Sequence, residues 1–255
     1  MRAKKSLGQN FLMHPRIAER IVLVADLTRD DVVIEIGPGK GILTRELLKR
    51  VKHVIAIEAD EKLVEELKIK FAHAVSSKHL ELIYADIRKW PTLGVGQRRY
   101  KVVANIPYYL TGEIFRKFLE APNQPSSMTL LVQKEVAERV ARDKKQSILG
   151  LSVKAYGTPE YEFTVPRGAF IPAPKVNSAA LSVRDISREN FKNSREELRF
   201  FELLHAGFAH KRKFVRSNVK GIVSEEALQA AGVRDGARAE DVPLSAWLEL
   251  MHHAV

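Results

Sequence analysis

Short apolar runs alternate with amphipathic helical patterns over the first half of the chain. The runs have the length of buried strands, and the segments between them place apolar residues at helical spacing. Strands that alternate with helices predict an α/β domain built on a parallel sheet. The predicted strands are Val32–Ile36, His53–Ile57, Leu80–Tyr84, Val102–Ala104 and Met128–Val132, followed by Tyr161–Val165 and Ser178–Arg184.

The pattern changes near residue 187, because helical patterns dominate from Arg188 onward. We therefore expect a sheet domain at 1–187 and a small helical domain at 188–255. The second domain has no acidic residue between Glu202 and Glu225, and Phe208 and Phe214 lie within that basic stretch. Solvated helix faces usually mix charges, so this stretch predicts a nucleic-acid-binding region. Its cations are Lys211, Arg212, Lys213, Arg216 and Lys220.

Composition supports a polyanionic partner. The 255 residues include 42 Lys and Arg against 31 Asp and Glu, which gives a net charge of +11. The chain has no Cys, which excludes disulfides and Cys-based zinc sites, and we predict no metal site. No apolar run approaches the ~18 residues of a membrane span, and no signal-peptide pattern follows the basic N-terminus, so we expect a cytoplasmic protein.

A polar or glycine position follows each of the first four predicted strands: Gly37, Glu58, Asp86 and Asn105. The carboxyl ends of parallel strands meet at one edge of a sheet, where such folds bind ligands. Glu58 is placed to accept hydrogen bonds from ribose hydroxyls, and Asp86 from an adenine amino group. The recurrence predicts a pocket for an adenosine-bearing cofactor.

The first of these strand ends continues into a glycine-rich turn. Gly37, Gly39 and Gly41 let the backbone approach a ligand closely, and their G-x-G-x-G spacing departs from the G-x-G-x-x-G dinucleotide fingerprint. Lys40 is not followed by Ser or Thr, which excludes a phosphate loop of the G-K-[ST] type.

The stretch Asn105-Ile106-Pro107-Tyr108 predicts a site for a planar base with an exocyclic amine. The Asn105 Oδ1 atom and the Ile106 carbonyl would accept hydrogen bonds from the amine, Pro107 stiffens the turn, and Tyr108 would stack on the ring. Phe170 lies on a proline-stiffened loop, where it would either cover the other face of the base or plug the core.

Residues 1–12, which end in Gln9-Asn10-Phe11-Leu12, predict either a lid anchored by its apolar residues or a disordered basic arm. In the lid interpretation, Phe11 and Leu12 hold the segment against the domain while the two amides reach a ligand.

Several motifs together resemble the KsgA-type (RsmA) ribosomal RNA adenine dimethyltransferases. They are Gln9-Asn10-Phe11-Leu12, Glu35-Ile36-Gly37-Pro38-Gly39-Lys40-Gly41, Asn105-Ile106-Pro107-Tyr108, Gln133-Lys134-Glu135-Val136, Phe170-x-Pro172-x-Pro174-Lys175-Val176-x-Ser178, His210-Lys211-Arg212-Lys213 and Arg238-Ala239-Glu240.

The resemblance implies a class I S-adenosylmethionine methyltransferase fold, which is Rossmann-like, with a small C-terminal helical domain. It implies dimethylation of N6 on two adjacent adenosines near the 3′ end of small-subunit rRNA. The partner would be the rRNA of an immature small subunit, and we expect a monomer. The implied S-adenosyl-L-methionine contacts are Asn10, Leu12, Gly37, Glu58, Asp86 and Asn105, with Gly39 in the same turn.

Four features depart from the KsgA pattern: Ile106, Asn177, Ala85 in place of a common Gly, and the segment Lys144–Leu149, which lacks the usual Tyr-Gly pair. Ile106 and Asn177 are typical of the Erm-type large-subunit rRNA methyltransferases. Erm-type methylation is therefore the alternative enzyme activity, with DNA adenine methylation behind it. An RNA-binding assembly factor with secondary catalysis is the alternative from another functional class.

Overall fold

The structure, a computed structural model, describes residues 9–92 and 99–253. The chain forms two compact units. The first runs to Ala137 and resumes at Thr158–Ile186, and the second comprises Glu138–Gly157 and the chain from Ser187 onward. The second unit thus includes a segment that the sequence analysis assigned to the sheet domain. The basic residues 1–8 lie outside the described residues.

The first unit is built on a seven-stranded sheet, and this confirms the predicted α/β architecture. Its strands are β2 (Val32–Ile36), β3 (His53–Glu58), β4 (Leu80–Tyr84), β5 (Tyr100–Asn105), β6 (Ser127–Gln133), β7 (Thr158–Val165) and β9 (Ser178–Arg184), in the order β4-β3-β2-β5-β6-β9-β7. The first five run parallel, while β9 pairs antiparallel with both β6 and β7. Consecutive apolar residues fill the central strands, as in sheets covered on both faces.

Helices connect most of the successive parallel strands of this sheet. Pro15 is the first residue of α1, a position where the missing N–H of proline costs no hydrogen bond. The Asp60 side chain caps α3 by accepting from the Lys62 N–H at 3.2 Å. The helices that lie wholly or partly in this unit are α1 (Pro15–Val24), α2 (Ile42–Leu48), α3 (Glu61–Lys70), α4 (Ala72–Ser76), α5 (Thr111–Leu119) and α6 (Lys134–Ala141).

A second, two-stranded sheet ties the N-terminal segment to the later part of the unit. Strand β1 (Phe11–Leu12) pairs antiparallel with β8 (Phe170–Ile171). Phe11 and Leu12 are buried, so residues 9–12 are anchored as the lid interpretation requires, and the alternative of a disordered arm is wrong for them. Phe170 is only 2% exposed and packs in the apolar core.

The second unit is helical. It contains α7 (Ile148–Lys154), α8 (Ser194–Phe208), α9 (Val215–Asn218), α10 (Glu225–Ala230) and α11 (Leu244–His253). An aromatic cluster fills its interior, and α8 lies against α11 where Gly207 leaves room for the Trp247 ring. No helix in the described ranges has both the length and the apolar composition to cross a membrane.

Candidate active site

An open cleft lies at the carboxyl ends of the parallel strands. Gly37, Glu58, Asp86 and Asn105 all line it, as the sequence analysis expected. They meet because β4, β3, β2 and β5 are adjacent in the sheet and each contributes its last residue or the turn that follows. The cleft encloses about 770 Å³ of non-protein space, part of which is open solvent at its mouth.

The glycine-rich turn forms the floor of the cleft beside β2. Gly37 and Gly39 have φ angles of 65° and 57°, a region that side-chain-bearing residues rarely adopt. A Cβ atom on Gly39 would also lie 2.9 Å from the Phe11 ring. The glycines therefore allow the turn to pack closely under the N-terminal segment while its backbone faces the cleft.

Glu58 is held rigidly on the cleft wall. Its side chain is buried, and its carboxylate accepts hydrogen bonds from the N–H groups of Ala59 at 2.9 Å, Asp60 at 3.0 Å and Gly39 at 3.1 Å. Burial raises the pKa of Glu58, while these three donors favour its charged form. The carboxylate is thus fixed in place and keeps lone pairs for a ligand in the cleft.

Glu35 is a second buried acid on the neighbouring strand that the sequence analysis did not assign. It is 1% exposed, and its Oε2 atom has no hydrogen-bond partner among the described residues. Burial raises the pKa of Glu35 to about 8, and the nearby charge of Glu58 adds to this effect. The sequence could have indicated this buried acid, because Glu35 is the one charged residue in the otherwise apolar strand Val32–Ile36.

Asp86 lines the cleft, but an arginine already binds its carboxylate. Arg88 Nε lies 3.0 Å from both Asp86 oxygens, and a second Arg88 nitrogen lies 2.5 Å from Oδ2. This guanidinium holds the pKa of Asp86 below its usual range. Arg88 also lines the cleft, and the sequence analysis missed it because the pairing depends on a turn that periodicity does not predict.

The Asn105 amide has a defined orientation. Its Nδ2 atom donates to the Asn10 carbonyl at 3.0 Å, which connects the strand end to the N-terminal segment. With the donor side engaged, Oδ1 remains as an acceptor. Ile106 and Pro107 continue the cleft wall, and Asn10 and Gln9 line it from the N-terminal segment.

The tyrosine that lines the cleft is Tyr109 rather than Tyr108, and Phe170 is not among the lining residues. Tyr109, 59% exposed, lines the cleft, whereas Tyr108 lies beside it and bonds through its hydroxyl to Ser178 Oγ at 2.6 Å. Of the two interpretations of Phe170, the buried one is confirmed and the exposed one is wrong, because the ring fills the core beneath its loop. The Leu12 side chain is also buried in that core, which leaves its backbone as its means of contacting a cofactor. The sequence alone does not indicate which of the two adjacent tyrosines, Tyr108 or Tyr109, lines the cleft.

The basic stretch of the second unit retains most of its predicted cations at the surface: Lys211, Arg212, Lys213 and Lys220 are exposed. Arg216 differs, since it forms ion pairs with Glu225 at 2.6 Å and Asp235 at 3.5 Å. These acids lie outside the basic stretch in sequence, so its composition did not reveal them.

The two aromatic residues of this stretch also have different environments. Phe214 is 48% exposed, but Phe208 stacks on Trp247 inside the unit, with ring centroids 6.0 Å apart. Among the residues that the structure describes, no cluster of three or more His, Asp or Glu side chains is arranged to hold a metal ion.

Solved structures similar to this chain include the 23S rRNA methyltransferase ErmE, with a TM-score of 0.79 and 28% identity over 96% of this chain and 99% of that one. A dimethyladenosine transferase from Plasmodium falciparum matches with a TM-score of 0.81 and 23% identity, also over 96% and 99% of the two chains. Both have the fold described above.

Curated relatives match over nearly the whole chain. Ribosomal RNA small subunit methyltransferase A from Dehalococcoides mccartyi (strain ATCC BAA-2266) is 42% identical over 97% of this chain and 87% of the relative. The protein of the same name from Fusobacterium nucleatum is 36% identical over 97% of this chain and 96% of the relative. The family described as ribosomal RNA adenine dimethylase matches residues 1–254. This chain therefore belongs to the ribosomal RNA adenine dimethylase family.

Proposed function

We propose that this chain transfers methyl groups from S-adenosyl-L-methionine to N6 of two adjacent adenosines near the 3′ end of small-subunit rRNA. The family and the names of the curated relatives support this reaction and this class of RNA. The observation that carries the proposal is the oriented Asn105 amide. Its Nδ2 atom bonds to Asn10, which leaves Oδ1 to accept from an exocyclic amine at the edge of the cleft.

The cleft residues fit S-adenosyl-L-methionine. Glu58 would accept from the ribose hydroxyls, because its carboxylate is fixed on the cleft wall by three backbone donors. Asp86 would accept from the adenine amino group through carboxylate lone pairs that its arginine partner leaves open, with Ile57 and Ile87 supplying apolar surface in the same cleft. Gly37 would admit the cofactor close to the backbone. When bound, the cofactor supplies an activated methyl group on a sulfonium centre.

The residues of the chain contribute positioning more than acid–base chemistry. Hydrogen bonds from the adenine N6 amine to Asn105 Oδ1 and the Ile106 carbonyl would reduce delocalisation of the nitrogen lone pair into the ring. They would also aim that lone pair at the methyl donor. Orientation of this kind lowers barriers by up to about 7–11 kcal/mol in favourable cases. Glu58 and Asp86 therefore hold the cofactor in this proposal. As the methyl group moves from sulfur to N6, the proton that N6 loses would pass to solvent at the open cleft.

The target adenosine must leave its helical context to reach Asn105. An aromatic ring that stacks on the extruded base contributes about 1–3 kcal/mol, which offsets an unstacking cost of similar size. Tyr108 remains our candidate for this contact, and Tyr109 joins it because its exposed ring lines the cleft.

RNA outside the target base would contact the second unit. Exposed Lys211, Arg212, Lys213 and Lys220 provide phosphate contacts, and Phe214 provides a surface for stacking. Arg216 is left out of this set because two carboxylates already pair with it. An immature small ribosomal subunit as partner, a monomeric state and a cytoplasmic location complete the proposal.

One alternative target has a specific observation in its favour. The 28% identity to a 23S rRNA methyltransferase over 96% of this chain, together with Ile106 and Asn177, is consistent with methylation of large-subunit rRNA. The curated relatives named for the small subunit are more similar, at 36–42% identity, and favour the first target.

A substrate panel tests the proposal. The protein is incubated with methyl-labelled S-adenosylmethionine and, separately, with unmethylated small subunits, large-subunit rRNA or DNA. We expect label on small-subunit rRNA, recovered as N6,N6-dimethyladenosine. Label on large-subunit rRNA alone would favour the alternative target, and the absence of label from every RNA would refute the proposed activity.

A further inference from the structure

We infer that Ser178 is a positioning residue for the target base, because it anchors the ring of Tyr108. The inference rests on the proposed function and extends it to a residue outside the cleft. Tyr108 Oη and Ser178 Oγ are 2.6 Å apart, although the residues are separated by 70 positions in the chain. Ser178 does not line the cleft, so it would act through Tyr108 alone.

The Ser178 hydroxyl is a fixed point of the fold. Ser178 is fully buried and is the first residue of β9, an interior strand of the sheet. It pairs with Gln133 of β6 on one side and with Val165 of β7 on the other. The preceding Asn177 carbonyl accepts from the Lys134 N–H at 3.0 Å. A group held on both sides in this way has little freedom to move, as a supporting residue requires.

Tyr108 needs such an anchor more than a core aromatic residue does. Its side chain is half-buried. The residue itself is the first of a single helical turn, Tyr108–Leu110, which directly follows the cleft residue Pro107. The backbone of this turn is held by the Thr111 hydroxyl, which donates to the Tyr108 carbonyl at 2.9 Å. That bond leaves the side-chain torsions of Tyr108 unconstrained, whereas the bond to Ser178 fixes the far end of the ring.

The phenol stays in its hydrogen-bonding form. Burial raises the pKa of Tyr108, so the hydroxyl keeps its proton at neutral pH and can both donate to and accept from Ser178. A ring held at its backbone and at its hydroxyl has its long axis fixed in one direction. Stacking on a pre-oriented ring avoids the entropy cost of ordering it during binding.

Ser182 provides a matched control on the same strand. It is also buried, and its Oγ lies 3.2 Å from Thr129 Oγ1 in the interior of the sheet. Ser182→Ala therefore removes a buried hydroxyl and a comparable hydrogen bond from β9 without altering the anchor of Tyr108. A purely structural role for Ser178 would make Ser178→Ala and Ser182→Ala behave alike.

A double-mutant cycle tests the inference. Ser178→Ala and Tyr108→Phe remove the same hydrogen bond and keep the aromatic ring, so each should lower kcat/KM for the RNA by roughly two- to tenfold. The double variant should match either single variant. Affinity for S-adenosylmethionine should be unchanged in all three, and Ser182→Ala should retain the parent kcat/KM. Effects that multiply in the double variant, or equal effects of Ser178→Ala and Ser182→Ala, would overturn the inference.

A second measurement is independent of activity. In protein with ring-¹³C-labelled tyrosine, the Tyr108 signals are assigned by their loss in Tyr108→Phe, and we expect Ser178→Ala to shift them because it removes the hydrogen bond to Tyr108 Oη. Unchanged Tyr108 signals in Ser178→Ala would refute the anchor even if the enzyme were active. An anchored ring in a protein that methylates no rRNA would instead refute the proposed function.

Discussion

The orientation of the Asn105 amide leads to a prediction that separates its two ends. Asn105→Ala removes both the donor to Asn10 and the acceptor for the target amine. Loss of one preorganised hydrogen-bonding group at a reacting centre typically lowers kcat by roughly 100- to 1000-fold. Asn105→Asp keeps an acceptor oxygen but places a carboxylate against the Asn10 carbonyl. Two facing acceptor oxygens with no hydrogen between them cost about 1–3 kcal/mol. We therefore expect Asn105→Asp to lower kcat by roughly 5- to 150-fold.

The assay is single-turnover methyl transfer to unmethylated small subunits, with cofactor affinity measured by calorimetry. Cofactor affinity should fall only slightly in both variants. Asn190 provides the matched control, because its Nδ2 atom also donates to a backbone carbonyl, that of Ala155 at 2.8 Å, outside the cleft. Asn190→Ala should leave kcat unchanged. Parent rates in Asn105→Ala would remove the residue from the mechanism, and parent rates in Asn105→Asp would show that the Asn10 bond orients nothing.

Three further predictions concern cofactor binding, pH and packing. Glu58→Gln should weaken S-adenosylmethionine affinity by roughly 10- to 150-fold in calorimetry, because it removes charge-assisted hydrogen bonds worth about 1.5–3 kcal/mol; unchanged affinity would contradict its role. The pKa of Glu35 rises from 4.5 to about 8 on folding, so the folded state binds the extra proton and stability falls as pH rises between these values. Urea unfolding at several pH values should show that fall in the parent and a smaller one in Glu35→Gln, and equal slopes would refute it. Gly207→Ala should destabilise the chain by about 1–3 kcal/mol because its Cβ would lie 2.2 Å from Trp247, whereas Gly112→Ala has open space. Equal melting temperatures for these two variants would refute the packing argument.

The strands and the convergence of their ends were predictable because both follow from local pattern. Apolar runs of strand length gave the seven strands of the main sheet, and the edge where parallel strands end gave Gly37, Glu58, Asp86 and Asn105. Strand β1 and its partner β8 have two residues each, too few for any periodicity to appear.

The misjudged or undecided residues depend on contacts between distant parts of the chain. For Phe170 the sequence left an exposed and a buried position open, and the structure shows it buried and paired with the distant N-terminal segment. Arg216 lies in a stretch without acids, but Asp235 folds back onto it from 19 positions away. Composition describes sequence neighbours, whereas burial and ion pairing depend on spatial ones.

The segment Glu138–Gly157 illustrates the same limit for domain boundaries. Predicted strands resume after it, at Tyr161, so the segment was expected to belong to the first domain. Its contacts place it in the second unit, for example through the Tyr156 ring, which stacks on Phe201 with centroids 5.9 Å apart. The assignment of 188–255 as the RNA-binding domain stays a prediction.

The central claim is that four neighbouring strand ends bind the methyl donor beside an amide that receives the target amine. A crystal structure with S-adenosylhomocysteine and an adenosine oligonucleotide tests it most directly. We expect the ribose hydroxyls to bond to Glu58, the cofactor adenine to lie beside Asp86, and the adenosine N6 to donate to Asn105 Oδ1. A cofactor bound elsewhere, or an adenosine amine facing away from Asn105, would contradict it.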